Sequence, residues 1–300
     1  MNVIPKRSLW DKFKCKEVVG FLFILPAFLY FVFVYYYPIL QSLYISFHDW
    51  SPFAMRFVGL QMYRKVLFRS VFWHSMYITT YFVILSIPLT VIPALFIAIL
   101  LNSIIRIKLR NILTVFYFLP FVVSLVAAAL IWEWLLNPHY GFVNYLLERV
   151  GIPGQLWLRS PTQVIPSLAG INAWSRLGFD VILFLAALQT LPMELYEAAE
   201  IDGASKFQRF SHITLPLLNP QIILVVIIEL IFDFKIFDQV YVTTQGGPAN
   251  QSRVIILHLY DVAFKWFKMG QACVIGLMVF LLLLSLSFFQ WRFFRRTVTY

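Results

Sequence analysis

Residues 197–220 read EAAEIDGASKFQRFSHITLPLLNP, a conspicuously polar stretch between two long apolar runs. The runs on either side are long enough to cross a lipid bilayer as helices. Charged side chains such as those in this stretch are costly inside hydrocarbon. The stretch is therefore expected to connect two membrane spans at the surface of the bilayer.

The composition makes lipid the main solvent of the chain. Of the 300 residues, 61% are hydrophobic and 13% are charged, whereas soluble domains carry about 25% charged residues. A soluble domain of this length could not bury so much apolar surface in one core. The apolar runs are continuous and do not alternate in strand-like units, so the sequence predicts an all-α bundle of membrane-spanning helices.

Six spans are predicted. The first apolar run follows a basic segment, but it is too long for a secretory signal and no small-residue cleavage site follows it, so we expect it to be retained. Pro88 and Pro93 are expected to kink the second span. The predicted spans are 18–40, 71–101, 112–136, 163–191, 213–242 and 270–291.

The net charge of +10 is explained by Lys and Arg residues that flank the spans, and no nucleic-acid partner is expected. These residues are modestly more frequent on the side of the N-terminus, which favours a cytoplasmic location for both termini. The basic residues of the 41–70 loop argue against this orientation. The two cysteines, Cys15 and Cys273, are too few and too distant for a disulfide framework or a metal site, and both are expected to be inert.

The polar stretch predicts a helical hairpin. Met193–Ile201 can form a short amphipathic helix with an acidic ridge. Gly203 permits the left-handed or tight backbone of a reversal. Ala204–Leu215 can form a second short helix, which Pro216 is expected to end. Small and acidic residues suit close docking of a basic partner surface, although an ordinary interfacial connection has the same local features.

The stretch also resembles the EAA loop of bacterial importer permeases of the ATP-binding-cassette (ABC) type. That pattern is Glu-Ala-Ala, two residues, Asp-Gly-Ala, a later Phe, and two prolines four residues apart. In this family the loop is cytoplasmic and docks into a cleft of an ATPase subunit, so the resemblance implies ATPase-coupling roles here. The matching positions are Glu197, Ala198, Ala199, Asp202, Gly203, Ala204, Phe210, Pro216 and Pro220.

The resemblance implies a division of labour between subunits. The chain contains no Gly-Lys pair and therefore no phosphate-binding loop of the G-x-x-x-x-G-K-[ST] kind. We expect no catalytic residue, metal site or cofactor on this chain, with ATP and Mg²⁺ held by partner subunits. The implied partners are a second, distinct permease subunit, two ATP-binding subunits and an extracytoplasmic solute-binding protein. The implied location is the bacterial cytoplasmic (inner) membrane, which the chain crosses several times.

The predicted organisation is a cytoplasmic segment 1–17, a transmembrane permease domain 18–291 and a cytoplasmic tail 292–300. The coupling loop occupies about residues 192–212 of the permease domain.

Further positions resemble sugar permeases of the carbohydrate-uptake class, of the maltose and glycerol-3-phosphate types. They are spread over roughly residues 20–295. The resemblance implies a carbohydrate substrate. The matching positions are Pro138, Gly141, Asn144, Trp157, Trp174, Gly178, Phe179, Leu188, Gln189, Pro192, Phe237, Asp238, Tyr241, Thr244, Gly246, Gly247, Pro248, Tyr260, Phe264 and Gly270.

Charged residues inside two predicted spans indicate a polar path. Arg176 and Asp180 are four residues apart, hence on one helical face and able to pair, and Glu229 and Asp233 have the same spacing. Charges in spans usually face the bundle interior or a water-filled cavity. We expect spans four and five to face each other, with Arg176 or Lys235 balancing the two carboxylates. A salt bridge that only fixes helix packing is an open alternative.

Polar and aromatic side chains near these charges are candidates for carbohydrate contact. Trp132, Glu133 and Trp134 are equally explained as an interfacial belt. Gly246, Gly247 and Pro248 predict a sharp external turn after span five, which does not exclude contact with a delivered ligand. The candidates for the substrate path are Asn172, Trp174, Arg176, Asp180, Glu229, Asp233, Gln239 and Tyr241.

Three other functions remain to be weighed against a carbohydrate importer. A permease for glycerol-3-phosphate or a related polyol phosphate would share these motifs. An ion-coupled secondary transporter should show internal repeats, and none is evident. A membrane-embedded enzyme would need a cluster such as H-E-x-x-H, and the histidines are scattered. They are His48, His74, His139, His212 and His258.

Overall fold

The computed structural model describes residues 16–51 and 54–294. The N-terminal half contains α1 (Lys16–Phe31), α2 (Tyr37–Ser46), α3 (Gln61–Leu67), α4 (Ser70–Asn102), α5 (Ile107–Val122), α6 (Leu125–Leu135) and α7 (Phe142–Arg149). The C-terminal half contains α8 (Val164–Leu188), α9 (Met193–Ile201), α10 (Lys206–Arg209), α11 (Leu215–Phe234), α12 (Asp238–Thr243), α13 (Ile255–Tyr260) and α14 (Met269–Phe294). π-Helical turns occur at Val32–Tyr36, Phe210–Thr214 and Asp261–Lys265, and a 3₁₀ turn at Trp157–Arg159.

Five helical segments of the described chain are long and apolar enough to cross a membrane. The predicted all-α membrane bundle is thus confirmed. The first segment extends to Ser46, beyond the predicted end at residue 40, because the π-helical turn Val32–Tyr36 joins α1 to α2 without interrupting the helix. The five segments are Val19–Ser46, Ser70–Asn102, Val164–Leu188, Lys206–Thr243 and Met269–Arg292. Pro88 and Pro93 lie inside α4, which is assigned as one helix of 33 residues.

The third predicted span, 112–136, corresponds to two helices, α5 and α6, with a sharp break between them. α5 and α6 meet at an angle of 93°. Val123 and Ser124 both have extended backbone conformations, with ψ values of 135° and 132°. Pro120 lies three residues before the break and cannot donate a helical hydrogen bond, which weakens the helix at this point. α6 then restarts with a bond from the Ala128 N–H to the Ser124 carbonyl oxygen.

The helix after the coupling loop also differs from the prediction, because Pro216 does not end it. A helix begins at Lys206 and continues through the turn Phe210–Thr214 into α11. The Leu215 N–H donates to the carbonyl oxygen of Phe210, the wider spacing of a π turn. Pro216 follows in the first turn of α11, where its missing N–H is tolerated. The second element of the hairpin is therefore the start of span five.

A short β-hairpin follows the first span and was not predicted. Strands β1 (His48–Ser51) and β2 (Ala54–Phe57) pair antiparallel, with His48 opposite Phe57. The beginning of α14 packs tightly against it. A Cβ atom at Gly270 would lie 2.2 Å from the His48 carbonyl oxygen, so only glycine fits there.

The core lies mainly between α4 and α8, which pack along much of their lengths. Buried apolar residues such as Phe82, Leu168 and Phe184 fill this interface. The apolar window of the first span, by contrast, buries none of its residues within this chain. Cys15 lies outside the described residues. Most of the predicted terminal segments 1–17 and 292–300 also lies outside them, at residues 1–15 and 295–300.

Candidate functional site

The coupling loop begins with a helix whose end is fixed by glycine. α9 ends at Ile201, and Gly203 has a φ of +77°. The Gly203 N–H donates to the carbonyl oxygen of Glu200 and the Ala204 N–H to that of Ala199. This pair of bonds is a Schellman motif, which satisfies carbonyl groups that a helix end leaves free. The left-handed turn predicted at Gly203 is present.

The next helix start is equally well defined. Ser205 accepts a hydrogen bond from the Gln208 N–H, and the Gln208 side chain accepts one from the Ser205 N–H, which forms a capping box. Arg209 then reaches back across the turn to Glu200, with 2.8 Å between guanidinium nitrogen and carboxylate oxygen. These contacts hold the two sides of the coupling loop in one arrangement.

A second contact attaches α9 to the beginning of span five. The Tyr196 hydroxyl lies 2.9 Å from the hydroxyl of Thr214. A cavity of 370 Å³ separates this part of the loop from the ends of α4 and α8. Glu197 and Phe210, both predicted coupling residues, line it.

The exposed surface of the coupling loop includes two large apolar side chains among its charged residues. Ile201 and Phe207 are 86% and 76% exposed. Ala198 is exposed, as are Glu197, Asp202 and Gly203, and no described residue pairs with Glu197 in a salt bridge. Exposed apolar residues with acidic neighbours are features of a protein-docking surface.

The deep part of the site is a buried ion pair between α8 and α11. The Arg176 Nε atom donates to both carboxylate oxygens of Glu229, at 2.9 and 2.7 Å, and Nη2 donates to Oε1 at 2.6 Å. Arg176 is 6% exposed and Glu229 is fully buried. The guanidinium also lies over the ring of Phe232, 4.1 Å from its centroid. The predicted facing of spans four and five is present.

An amide extends this pair into a network. The Asn172 Nδ2 atom donates to Asp233 Oδ1 at 2.9 Å and to the hydroxyl of Ser86 at 2.8 Å. Ser86 lies on α4, so three helices meet at Asn172. Ser86 was missed from the sequence, because one serine in a long apolar helix does not differ from the small residues that helix packing uses.

Asp180 lies near this network but does not form the ion pair with Arg176 that its spacing predicted. Arg176 turns to Glu229, and neither carboxyl oxygen of Asp180 accepts a hydrogen bond from a described donor. Asp180 is fully buried and lies near the carboxylate of Glu229. Lys235 is exposed and lies over the Phe232 ring, so it does not balance the carboxylates either.

A cavity of 290 Å³ opens beside the network. Asn172, Arg176 and Gln239 are among its lining residues, and the Gln239 amide nitrogen also donates to the Leu168 carbonyl oxygen at 3.2 Å. Trp174 and Tyr241 do not line this cavity. Trp174 contacts Trp132, and the Tyr241 ring stacks on Phe237 with 5.1 Å between centroids.

The predicted turn at Gly246, Gly247 and Pro248 is present shortly after the end of α12. Gly246 has a φ of +91°. The buried Ser252 hydroxyl donates to the Gly247 carbonyl oxygen at 2.6 Å and lies 2.7 Å from the hydroxyl of Thr244. The turn is therefore closed by its own side chains.

A charged cluster beyond this turn was not found from the sequence. Arg253 forms an ion pair with Asp261, and Lys265 lies 2.8 Å from the other oxygen of that carboxylate. His258 is buried beside them, and its Nδ1 atom has no partner among the described residues. Burial, reinforced by the positive charge of Arg253, lowers the pKa of His258 to about 4.

Within residues 16–51 and 54–294, no group of three or more His, Cys, Asp or Glu side chains is arranged to hold a metal ion. The site thus consists of an exposed coupling loop and a buried polar network, joined by α8 on one side and α11 on the other. This arrangement is that of a multi-pass membrane protein with an exposed loop at one end of its bundle.

Comparison with known proteins agrees with this description. The family described as "Binding-protein-dependent transport system inner membrane component" matches residues 81–299. The chain belongs to this family, whose members are permease subunits of ABC transporters.

Two relatives cover nearly the whole chain. The trehalose/maltose transport system permease of Thermococcus litoralis is 35% identical over 286 residues, covering 93% of this chain and 95% of the relative. The arabinooligosaccharides transport system permease of Bacillus subtilis is 32% identical over 288 residues, covering 94% and 90%. The fold is also similar to a chain of a bacterial alginate ABC transporter crystallised with its alginate pentasaccharide-bound periplasmic protein. That match has a TM-score of 0.81 at 23% identity, over 96% of this chain and 97% of the other.

Proposed function

We propose that this chain forms half of the translocation pathway of an ABC importer for a carbohydrate. The coupling loop would dock on an ATP-binding subunit, and a second permease would complete the pathway. Two ATP-binding subunits would supply the energy, and an extracytoplasmic binding protein would deliver the substrate. The coupling loop and both termini would lie in the cytoplasm of a bacterium, with the spans in its cytoplasmic membrane.

One observation carries this proposal: both helices of the buried network connect directly to the coupling loop. α8, which bears Asn172 and Arg176, ends at Leu188, just before α9. The helix that leaves the loop becomes α11, which bears Glu229 and Asp233. A displacement of the loop is thus applied to both sides of the network at once.

The mechanical consequence follows from helix stiffness. Arg209 and Glu229 are separated by about 30 Å of helix at 1.5 Å per residue. The π turn Phe210–Thr214 is the natural place for this helix to bend, because π turns weaken the regular hydrogen-bond ladder. Closure of the ATP-binding subunits would shift the loop, tilt α11 against α8 and change access to the network, a shear motion between packed helices.

The substrate class rests on the relatives and on the charge of the network. The relatives named above transport trehalose and maltose or arabinooligosaccharides. The buried guanidinium of Arg176 is already neutralised by Glu229, so it is not free to bind a phosphate. Asn172 and Gln239 present amides to the cavity, and amides pair readily with hydroxyl groups. These features favour a neutral carbohydrate over a polyol phosphate.

The first span supports a partner permease. Its apolar window buries no residue within this chain. Aromatic side chains such as Phe23 and Phe33 are 81% and 66% exposed. A second permease and surrounding lipid would together cover this helix.

The test is purification of the chain together with its genetic neighbours, followed by reconstitution into vesicles. We expect an ATP-binding subunit to co-elute and ATP hydrolysis to rise when the loaded binding protein is added. Radiolabelled neutral sugars should accumulate only with ATP and the binding protein present. Uptake by the lone chain driven by an ion gradient would overturn the proposal, and uptake of glycerol-3-phosphate alone would replace its substrate class.

A further inference from the structure

A second cavity, of 420 Å³, lies at the end of α8 opposite the coupling loop. The 25 residues of α8 span roughly 36 Å, so this cavity is about a bilayer thickness from the loop. The indoles of Trp132 and Trp157 form part of its wall, and Gln163 and Ser167 add polar groups. None of the coupling or network residues lines it.

Trp157 is held in this wall at a conformational cost. Its φ is +46°, a left-handed backbone conformation that residues other than glycine rarely adopt. Its backbone N–H donates to the Gln163 Oε1 atom at 2.8 Å, and its indole N–H donates to the Asn144 Oδ1 atom at 2.7 Å. Asn144 is buried and also bonds Gln155. Strain maintained in this way is characteristic of binding sites that need a fixed side chain.

The polar groups of the wall keep hydrogen-bonding capacity. Ser167 gives its hydroxyl proton to the Gln163 carbonyl oxygen, which leaves its lone pairs for an incoming donor. The Gln163 amide nitrogen donates one proton to Gln155 and retains the other. A ligand with both donors and acceptors can therefore be accommodated.

One helix, α6, contributes a wall residue both to this cavity and to the cavity beside the buried network. Leu125 lines the network cavity and Trp132 lines this one, seven residues later and on the same helical face. Trp132 also contacts Trp174 edge to face, with ring centroids 5.6 Å apart, and Trp174 is 39% exposed.

We propose that this cavity is a carbohydrate subsite, occupied before the substrate reaches the network. A pyranose has an apolar face of C–H groups that stacks on an indole and a rim of hydroxyls that needs donors and acceptors. The cavity volume lies in the range of about 300–1,000 Å³ of small-molecule sites. A different cavity, of 340 Å³ between α2 and α14, has no indole and only Ser42 and Cys273 as polar neighbours, so it suits an acyl chain and not a sugar. The inference rests on the proposed import of a carbohydrate.

Gly170 offers a direct test because it lines the cavity and a Cβ atom there meets no atom within 4 Å. Gly170→Phe is expected to fill the cavity and to raise the half-saturating sugar concentration for uptake about tenfold, the loss of roughly one good aromatic stacking contact. Gly170→Ala should behave as the wild type.

Uptake is measured in vesicles containing the whole transporter and its binding protein, with tritiated maltotriose, trehalose and arabinotriose as probes. The ATPase activity without binding protein and the co-purified subunits of each variant report folding and assembly. If the wild type imports none of these sugars, the proposed function fails. If the wild type imports one and Gly170→Phe leaves its half-saturating concentration unchanged, the subsite is wrong while the function stands.

Labelling distinguishes a sugar subsite from a surface covered by lipid or by the partner permease. Gly170→Cys, in a chain with Cys15→Ser and Cys273→Ser, should react with a membrane-impermeant maleimide added outside. The imported sugar should slow this reaction several-fold. Absence of reaction, or a rate that the sugar does not change, overturns the proposal.

Discussion

Arg176 on α8 and Glu229 on α11 are 53 residues apart in sequence, yet the guanidinium nitrogens approach both carboxylate oxygens within 2.9 Å in a buried interior. The two helices leave opposite ends of the coupling loop. The pair therefore joins the two structural elements on which an ATP-driven movement of the loop would act.

Exchange of the two charges should restore what each single change destroys. Removing one partner of a buried pair typically costs about 3–5 kcal/mol, because the other charge is left without compensation. Arg176→Glu and Glu229→Arg are each expected to lower uptake and the thermal midpoint of the purified complex. The double exchange should recover a substantial part of both. If uptake by the double variant is no better than uptake by the worse single variant, the ion pair does not contribute to transport.

Asp180→Asn is expected to retain uptake and to match or exceed the wild type in stability. No described donor bonds the Asp180 carboxyl, so an amide loses no hydrogen bond from such a donor and replaces a buried ionisable group near Glu229 with a neutral one. Glu229→Gln is the matched control, since it keeps shape but deprives Arg176 of its counter-charge. The two variants are compared by thermal unfolding and by uptake. Equal losses of stability and uptake in Asp180→Asn and Glu229→Gln would contradict the conclusion that only Glu229 takes part in the ion pair.

Gly203→Ala should weaken coupling without creating a clash. A Cβ atom at Gly203 has no neighbour within 4 Å, but the residue has a φ of +77°. A non-glycine residue in this conformation costs about 1–2 kcal/mol. We expect a lower yield of co-purified ATP-binding subunit and less ATP hydrolysis stimulated by the binding protein. Gly203→Asn should lose less than Gly203→Val, because asparagine tolerates this conformation better; the reverse order would argue against the backbone explanation.

Glu197→Lys should weaken binding of the ATP-binding subunit, and the loss should shrink as ionic strength rises. Glu197 is exposed and has no salt-bridge partner among the described residues, so it is free to face a basic partner surface. Glu148→Lys, also at an exposed position but outside the coupling loop, is the control. Association is measured by co-purification at low and high salt. Equal effects of both substitutions would exclude a specific role for Glu197.

Acidification should destabilise the segment around α13. His258 lies outside the candidate spans, and its pKa of about 4 is below the ordinary value of 6.5. Between about pH 4 and pH 6.5, this histidine therefore binds a proton in the unfolded chain but not in the folded chain. The free energy of unfolding should then fall as the pH drops below about 6.5, by up to about 2 kcal/mol at pH 5. Arg253, Asp261 and the more distant Arg69 are the charged groups that act on this histidine.

His258→Gln removes the titrating group and should flatten the dependence of the thermal midpoint on pH between 7 and 5. His139→Gln, at a histidine without this burial, should keep the wild-type dependence. An unchanged pH profile in His258→Gln would show that other groups control acid stability.

Features that depend only on residues close together in the sequence were predictable. The spans follow from continuous apolar runs, and the reversal at Gly203 follows from its freedom to adopt a positive φ. The break between α5 and α6 was not predictable from Pro120 alone, because many membrane helices contain a proline without breaking. Pro216 was misjudged for a related reason: a π turn before it supplies a helical context that a proline can enter.

The sequence by itself determined that the chain is a bundle of lipid-embedded helices with a polar loop between two spans, because the apolar runs are long enough to cross a bilayer and helices satisfy their own backbone groups in lipid. Only the tertiary structure decided which charges meet. Arg176 had Asp180 one turn away on its own helix but bonds Glu229 on another, since helix packing fixes which faces touch. The same packing placed Ser86 beside Asn172 and two tryptophans around a common cavity, relations between distant segments that no local pattern contains.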